Sequence, residues 1–305
     1  MASELLLLSN LLEHPGVFDF IRQARRRNPG LTFLVTGDLL NVFPEPGEEL
    51  EQSIFHEIHG GDLIRHEMDR LVSTRFRGVA ESPLVGPLRD MFLPMGSRFE
   101  AARAIARRRY RQFFRSLHAA LGPCDFYFIP GNMDYPDLAL VGSAASRRIH
   151  MVDQLTFSLA GFTIGALGGI PNISHPFRGV VEISPYEMSA IEYERRLWAL
   201  EGVDILVTHL SPKEYPPLAD FVRRTRLQML VCRAPFDFSS QGDYRGKMQM
   251  YAIDSKHVVE VRPFDFPVNA AIVLRLGEGP ISNDDVRIER IRARATSAEL
   301  EVRAP

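Results

Sequence analysis

At 305 residues with 45% hydrophobic side chains, the chain can bury a sizeable core, as one domain carrying an insertion or as two small ones. A formal net charge of −2 excludes a global polycation, so composition advertises neither nucleic acid nor an anionic membrane as a partner. The two cysteines, Cys124 and Cys232, stand in or beside apolar runs, which suits buried thiols of a reducing compartment better than a disulfide.

The first apolar run, Leu5 to Leu8, follows Glu4 without a basic leader and is far too short to span a bilayer. It reads as a strand that ends in Ser9-Asn10, in a soluble, cytoplasmic protein. A helix from Pro15 follows, with Val17, Phe20, Ile21 and Ala24 on one face, and Asn28-Pro29-Gly30 stops it. The next strand, 31–37, breaks off at Gly37-Asp38. Strand, helix and strand make a βαβ unit with parallel strands and a right-handed crossover. Open α/β sheets bind ligands beyond the carboxyl ends of their strands, so the pattern sets Asp38 in a crevice.

Residues 42–97 break the rhythm with one helix-like stretch (48–71) and a Pro- and Gly-punctuated tract (78–96). The segment is long for a connection between successive strands, so the spacing predicts a mainly helical insertion beside the crevice. A lid, a specificity cap and a dimer contact all fit that position. Its His56, His59 and His66 lack metal-site spacing and read as surface residues. A helix over 99–121 restores the alternation, and Arg103, Arg107, Arg108, Arg109, Arg111 and Arg115 read as its solvated face. The strand 125–130 then ends in Gly131-Asn132.

A short helix over 137–145 precedes two strands hinged at Ala160-Gly161, a hairpin signal. Ser184, Pro185 and Glu187 form a capping-box pattern that predicts a helix running to Leu200. Strand 204–209 ends in Thr208-His209. Helix 218–226 and strand 228–232 follow, and from Met250 onward the pattern reads as antiparallel strands with a frayed tail from Arg292.

The strand ends carry a resemblance. Strand-Ser-Asn, strand-Gly-Asp-x-x-Asn, strand-Gly-Asn-x-Asp and strand-Thr-His, in that order, resemble the calcineurin-like metallophosphoesterase superfamily. The resemblance implies a four-layer αββα sandwich, formed here by a single domain over 1–305 with 42–97 inserted. It also implies hydrolysis of phosphoesters by two bridged metal ions. The family's Asp-x-His falls on Asn10 and Leu12, while its Gly-Asp-x-x-Asn is intact as Gly37, Asp38 and Asn41. Its Gly-Asn-His-Asp appears as Gly131, Asn132, Met133 and Asp134. The lone His is His209, and the final Gly-His-x-His falls on Arg233, Ala234, Pro235 and Phe236.

By that correspondence one metal position would be left with Asp38 and the neutral Asn10, since Leu12 and Phe236 cannot coordinate. The other keeps Asp38, Asn132 and His209. Two-metal phosphoryl chemistry clamps both the attacking and the leaving oxygen. The expectation is therefore no metal or one weakly bound divalent ion (Mn, Zn or Fe), with two-metal hydrolysis lost or strongly impaired. The pocket is expected to serve binding or regulation of a phosphate-containing small molecule. Asn10, Asn41, Asp134 and Arg233 are the candidate substrate-binding residues; Asp134 reads more as a loop-ordering acid than as a proton donor, and Arg233 is expected to fill vacated metal volume and pair with Asp38. Two other readings stay open: a hydrolase using at most one metal, and a scaffold or homo-oligomer acting through 42–97. Neither nucleic acid nor membrane is an expected partner.

Overall fold

The computed structural model describes residues 3–11, 14, 16–40, 104, 106–132, 134, 138–171, 186–235, 249–262, 264, 270–277 and 279–290. The expected insertion 42–97 lies outside the described residues, as do Leu12, Asn41, Met133, Phe236 and the tail from 291. In chain order the first elements are β1 (Ser3–Leu8), α1 (Gly16–Arg27), β2 (Thr32–Val35), α2 (106–121), β3 (Phe126–Phe128), α3 (Leu138–Ala145) and β4 (Ile149–Met151). There follow β5 (Leu155–Leu159), β6 (Phe162–Leu167), β7 (Ile170–Pro171), β8 (Glu187–Met188), α4 (Ala190–Trp198), β9 (Ile205–Thr208) and α5 (Pro216–Arg224). The last are β10 (Met229–Arg233), β11 (Gln249–Ile253), β12 (Lys256–Val261), β13 (Ala270–Leu276) and β14 (Val286–Arg290).

Two six-stranded sheets form, in the orders β14-β13-β1-β2-β3-β4 and β11-β12-β10-β9-β6-β5. The alternation of side chains along each strand explains how they stack. On β1, Leu6 and Leu8 join α1 and α2 in one core, while Leu5 and Leu7 join a second core with Ile205, Val207, Met229 and Val231 of the other sheet. The other faces of β9 and β10, through Leu206, Leu230 and Cys232, pack in a third core with Tyr193 and Leu197 of α4 and Leu218 and Phe221 of α5. Three cores between four layers make the αββα sandwich. Strands buried on both faces carry unbroken apolar runs, which is why Leu5 to Leu8 could be read as a strand at all.

In the first sheet β1, β2, β3 and β4 are mutually parallel, as are β6, β9, β10 and β12 in the second. Carboxyl ends of neighbouring strands therefore gather at one edge of each sheet. Three expectations need correction. The strands after Met250 are not purely antiparallel: β12 pairs antiparallel with β11 but parallel with β10, and β13 crosses to the first sheet to lie antiparallel to β1. The cap of α4 is Ser189, not Ser184, with Ser189 Oγ accepting from Glu192 N at 3.2 Å. Both serines open a Ser-x-x-Glu pattern, but only the second leads directly into the apolar face of Tyr193 and Leu197, and Glu187–Met188 is claimed by the short pairing β7-β8. Finally, β4 forms where sequence reading expected no strand; its three residues are too few to show a period.

Candidate functional site

The chain leaves β2 through a turn that only particular residues can make. Gly37 has φ +109°, and a Cβ there would lie 2.6 Å from both Gly131 N and His209 Nδ1. Asp38 follows at φ 52°, and Asn10, after β1, stands at φ 44°. Aspartate and asparagine tolerate this left-handed region better than other non-glycine residues, so the turn chemistry selects the residue types. Held outside the common backbone basins, both side chains meet. Asn10 Nδ2 donates to Asp38 Oδ2 at 3.0 Å, and Ser9 Oγ donates to Asn10 Oδ1 at 2.9 Å. The amide orientation follows from the carboxylate, which offers only lone pairs and must face the NH₂ group.

From the second sheet, β9 delivers His209, a residue with no exposed surface. Its Nδ1 lies 2.6 Å from the carbonyl oxygen of Thr36, so Nδ1 carries the proton and donates. Nε2 is then left 3.2 Å from Asn132 Oδ1 and 3.4 Å from Asp38 Oδ2. In the neutral ring the Nε2 lone pair faces the Asp38 carboxylate there, and a cation between them, or the Asn132 amide turned to present its NH₂, relieves that repulsion. The structure thus brings Asn10, Asp38, Asn132 and His209 together from both sheets. Asn132 is the partly exposed member of the group, while Asp38 and Asn10 are buried.

Among the described residues the donor set could hold one divalent ion, on Asp38, Asn132 and His209, and offers no comparable set for a second. The only described donors of the other family position, Asn10 and Asp38, are hydrogen-bonded to each other, and Leu12 and Phe236, which complete it in the sequence, are hydrocarbon side chains. Among the described residues no three side chains of the His, Cys, Asp and Glu types gather as a metal cluster, because the third member of this trio is an amide.

Asp134 serves the loops, as a loop-ordering acid, and Arg233 sits differently from the sequence reading. Asp134 is 3% exposed and does not face an open pocket: Oδ1 accepts from Leu39 N and Tyr110 Oη at 3.0 Å each, and Oδ2 from Gly131 N at 2.9 Å. Burial, followed by the nearby charge of Asp38, pushes its pKa up, and those three hydrogen bonds pull the other way. Arg233 does not pair with Asp38. Its Nη2 binds Glu214 at 2.8 and 3.1 Å, and Nη1 donates to the Ala234 carbonyl at 3.0 Å. Cys232 lies opposite Thr208 in register, which puts Arg233 beside His209 at the carboxyl edge, yet Glu214, one turn past β9, reaches the guanidinium first. Its Nε is buried without a hydrogen-bond partner. Asn41 lies outside the described residues.

Sequence reading missed the groups that hold these loops. Tyr110 is hidden on the apolar face of the arginine-rich α2, among Phe113, Phe114 and Leu117. Glu260, 1% exposed, accepts from Ser211 Oγ at 2.7 Å, Tyr251 Oη at 3.0 Å and Lys213 Nζ at 2.8 Å. It anchors the loop directly after His209. A lone acid inside Val258-Val259-Glu260-Val261 was the available signal.

No family model and no curated protein matches the chain. Solved structures do. One crystal structure shares 12% identity with a TM-score of 0.59, over 96% of this chain and 100% of the other. The crystal structure of TT1561 from Thermus thermophilus shares 13% identity with a TM-score of 0.56, over 96% and 100%. At such identities the likeness concerns architecture alone, and the chain has a metallophosphoesterase-like fold.

Proposed function

We propose that this metallophosphoesterase-fold chain has given up two-metal phosphoester hydrolysis and keeps its crevice to bind one divalent cation with a phosphate-containing small molecule. The observation that carries the reading is the hydrogen bond from Asn10 Nδ2 to Asp38 Oδ2. An amide donor occupies the side of the carboxylate that a bridging role would present to a further ion. Asp38, Asn132 and His209 would hold the single ion, with waters completing its shell, a mixture that Mn²⁺, Zn²⁺ and Fe²⁺ accept. When bound, that ion supplies a positive charge for a phosphoryl oxygen.

The chain's own residues then set what the crevice can do. Asn132, the partly exposed amide, faces a ligand, while the Asn10 amide is held by Asp38 and Ser9, and Arg233 brings a guanidinium beside His209, its charge shared with Glu214. In the sequence, Met133 takes the place where an acid for the leaving oxygen would be needed, and a thioether has no proton to give. General acid catalysis alone contributes roughly 10²–10⁴ in rate, so hydrolysis should be feeble.

Calorimetric titration of the full chain with Mn²⁺, beside hydrolysis assays on bis-p-nitrophenyl phosphate and p-nitrophenyl phosphate, tests the reading. One ion per chain, lost in His209→Ala, with negligible turnover supports it. Two ions per chain with brisk diester turnover overturns it.

A further inference from the structure

We propose that Asp134 is a positioning residue that sets the span between Asp38 and Asn132, and that Tyr110 holds Asp134 in place from α2. One carboxylate bonds the amide after Asp38 and the amide before Asn132: Leu39 N at 3.0 Å and Gly131 N at 2.9 Å. The residues that would carry the ion's oxygen ligands come from different loops, and this carboxylate is the bridge between them. The third donor, Tyr110 Oη, reaches the oxygen that Leu39 uses, and Tyr110 is itself fully buried and stacked 6.1 Å from Phe114.

The residue type follows from the donors. Three N–H and O–H groups converge, so the centre must be all acceptor, which excludes an amide side chain at this place. A buried carboxylate is costly unless each oxygen is bonded, and both oxygens are. Holding the loops together by apolar packing would have fixed their approach less sharply, because hydrogen bonds constrain direction as well as distance. The loops are also pressed close, since a Cβ on Gly131 would lie 2.0 Å from Asp38 Oδ1. A small change in their separation moves the ligand oxygens directly.

This inference rests on the one-cation reading for its ligand and on the loop geometry for its mechanism, so the experiment has an arm for each. Tyr110→Phe deletes the hydroxyl and keeps the ring. Phe113→Leu, on the same buried face, removes packing without touching Asp134. In the full-length protein without metal, amide hydrogen exchange is measured at Leu39 and Gly131. Mn²⁺ affinity is then measured by calorimetry, and the thermal midpoint by circular dichroism. Tyr110→Phe should lower protection at both amides and Mn²⁺ affinity by about tenfold, the scale of one hydrogen bond to a charged group. Its midpoint should change less than that of Phe113→Leu, whose Mn²⁺ affinity should stay at the wild-type level. Unchanged protection at both amides in Tyr110→Phe overturns the proposal, as does an affinity that merely tracks the midpoint in both variants. If wild type binds no Mn²⁺, the one-cation reading fails on its own, and the exchange arm still decides whether Asp134 positions the loops.

Discussion

Asn10 and Asp38 face each other across 3.0 Å, amide to carboxylate, from two backbone positions that both have positive φ. Neither loop would hold such a conformation without compensation, and residues kept in sparsely populated regions cluster where structure serves a function. The pair makes the carboxylate tolerable in a buried place by hydrogen bonding where an ion could otherwise have done so.

The first prediction changes that pair. Asn10→Asp sets two carboxylates at hydrogen-bond distance, where both cannot stay ionised without a cation. In EDTA the variant should lose about 1–3 kcal/mol of stability, the scale of an unmade buried hydrogen bond. Millimolar Mn²⁺ should return most of it. Thermal melts of wild type and variant, each with EDTA and with Mn²⁺, decide. A variant whose melting is indifferent to metal would show that the crevice does not accept cations at this edge.

Arg233 and Glu214 form a largely buried pair, with side-chain exposures of 8% and 19%. Removing one partner strands the other, so Arg233→Ala should destabilise by about 3 kcal/mol. Adding Glu214→Gln should recover part of that loss. Urea melts of the double-mutant cycle supply the coupling, and additive losses would mean that the pair contributes nothing as a pair. Mn²⁺ affinity should survive in Arg233→Ala, which separates this residue from His209.

Gly131→Ala tests the closeness of the loops without touching any polar side chain. Its Cβ would meet Asp38 Oδ1 at 2.0 Å, with Asp38 Cγ and the Asp38 backbone nitrogen at 2.6 Å. Something must move, and overpacking of this kind costs about 1–3 kcal/mol or more. Chemical denaturation should show that loss together with weakened Mn²⁺ binding. A variant of wild-type stability and affinity would place the two loops further apart than described.

Glu192 supplies a pH dependence. Hydrogen bonds from Arg195 and then Arg196 hold its carboxyl down at about 2, from an ordinary 4.5. A depressed folded value means the contribution is fully present above pH 4.5 and disappears as pH falls through about 2. The group stands near the surface, so solvent screening keeps the effect under about 1 kcal/mol. Glu192→Gln should therefore melt slightly below wild type at pH 7 and level with it at pH 2. An equal gap at both pH values would remove the ion pairs from the account.

The strand-end residues were legible in sequence because a buried parallel strand announces itself and its end is where polarity returns. Asp38, Asn132 and His209 could be named that way, and Asn10 with them. Partners across the fold could not. Arg233 was expected to reach Asp38, but the choice of Glu214 depends on how the chain turns after β9, which no local pattern records. Asp134 was recognisable as a polar residue near the site, yet its burial depends on Tyr110, whose spacing reads simply as core. Ser184 and Ser189 open the same motif, and the choice rests on the apolar face that follows Ser189 and on the pairing of β7 with β8. The parallel pairing of β12 with β10 was likewise out of reach, since alternation shows which face is buried and says nothing about the neighbour's direction.

The backbone of Gly131 pressed against one oxygen of Asp38 also bears on ionic choice. With Gly131 this near Oδ1, the proposed cation would meet Asp38 through Oδ2, the oxygen 3.4 Å from His209 Nε2. Calcium draws on six to eight oxygens and often grips a carboxylate by both of them, whereas smaller, more polarising ions accept single-point contacts from mixed nitrogen and oxygen donors. On the one-cation proposal, crowding at this glycine would disfavour calcium in addition to whatever charge does, although the glycine itself would not touch the ion.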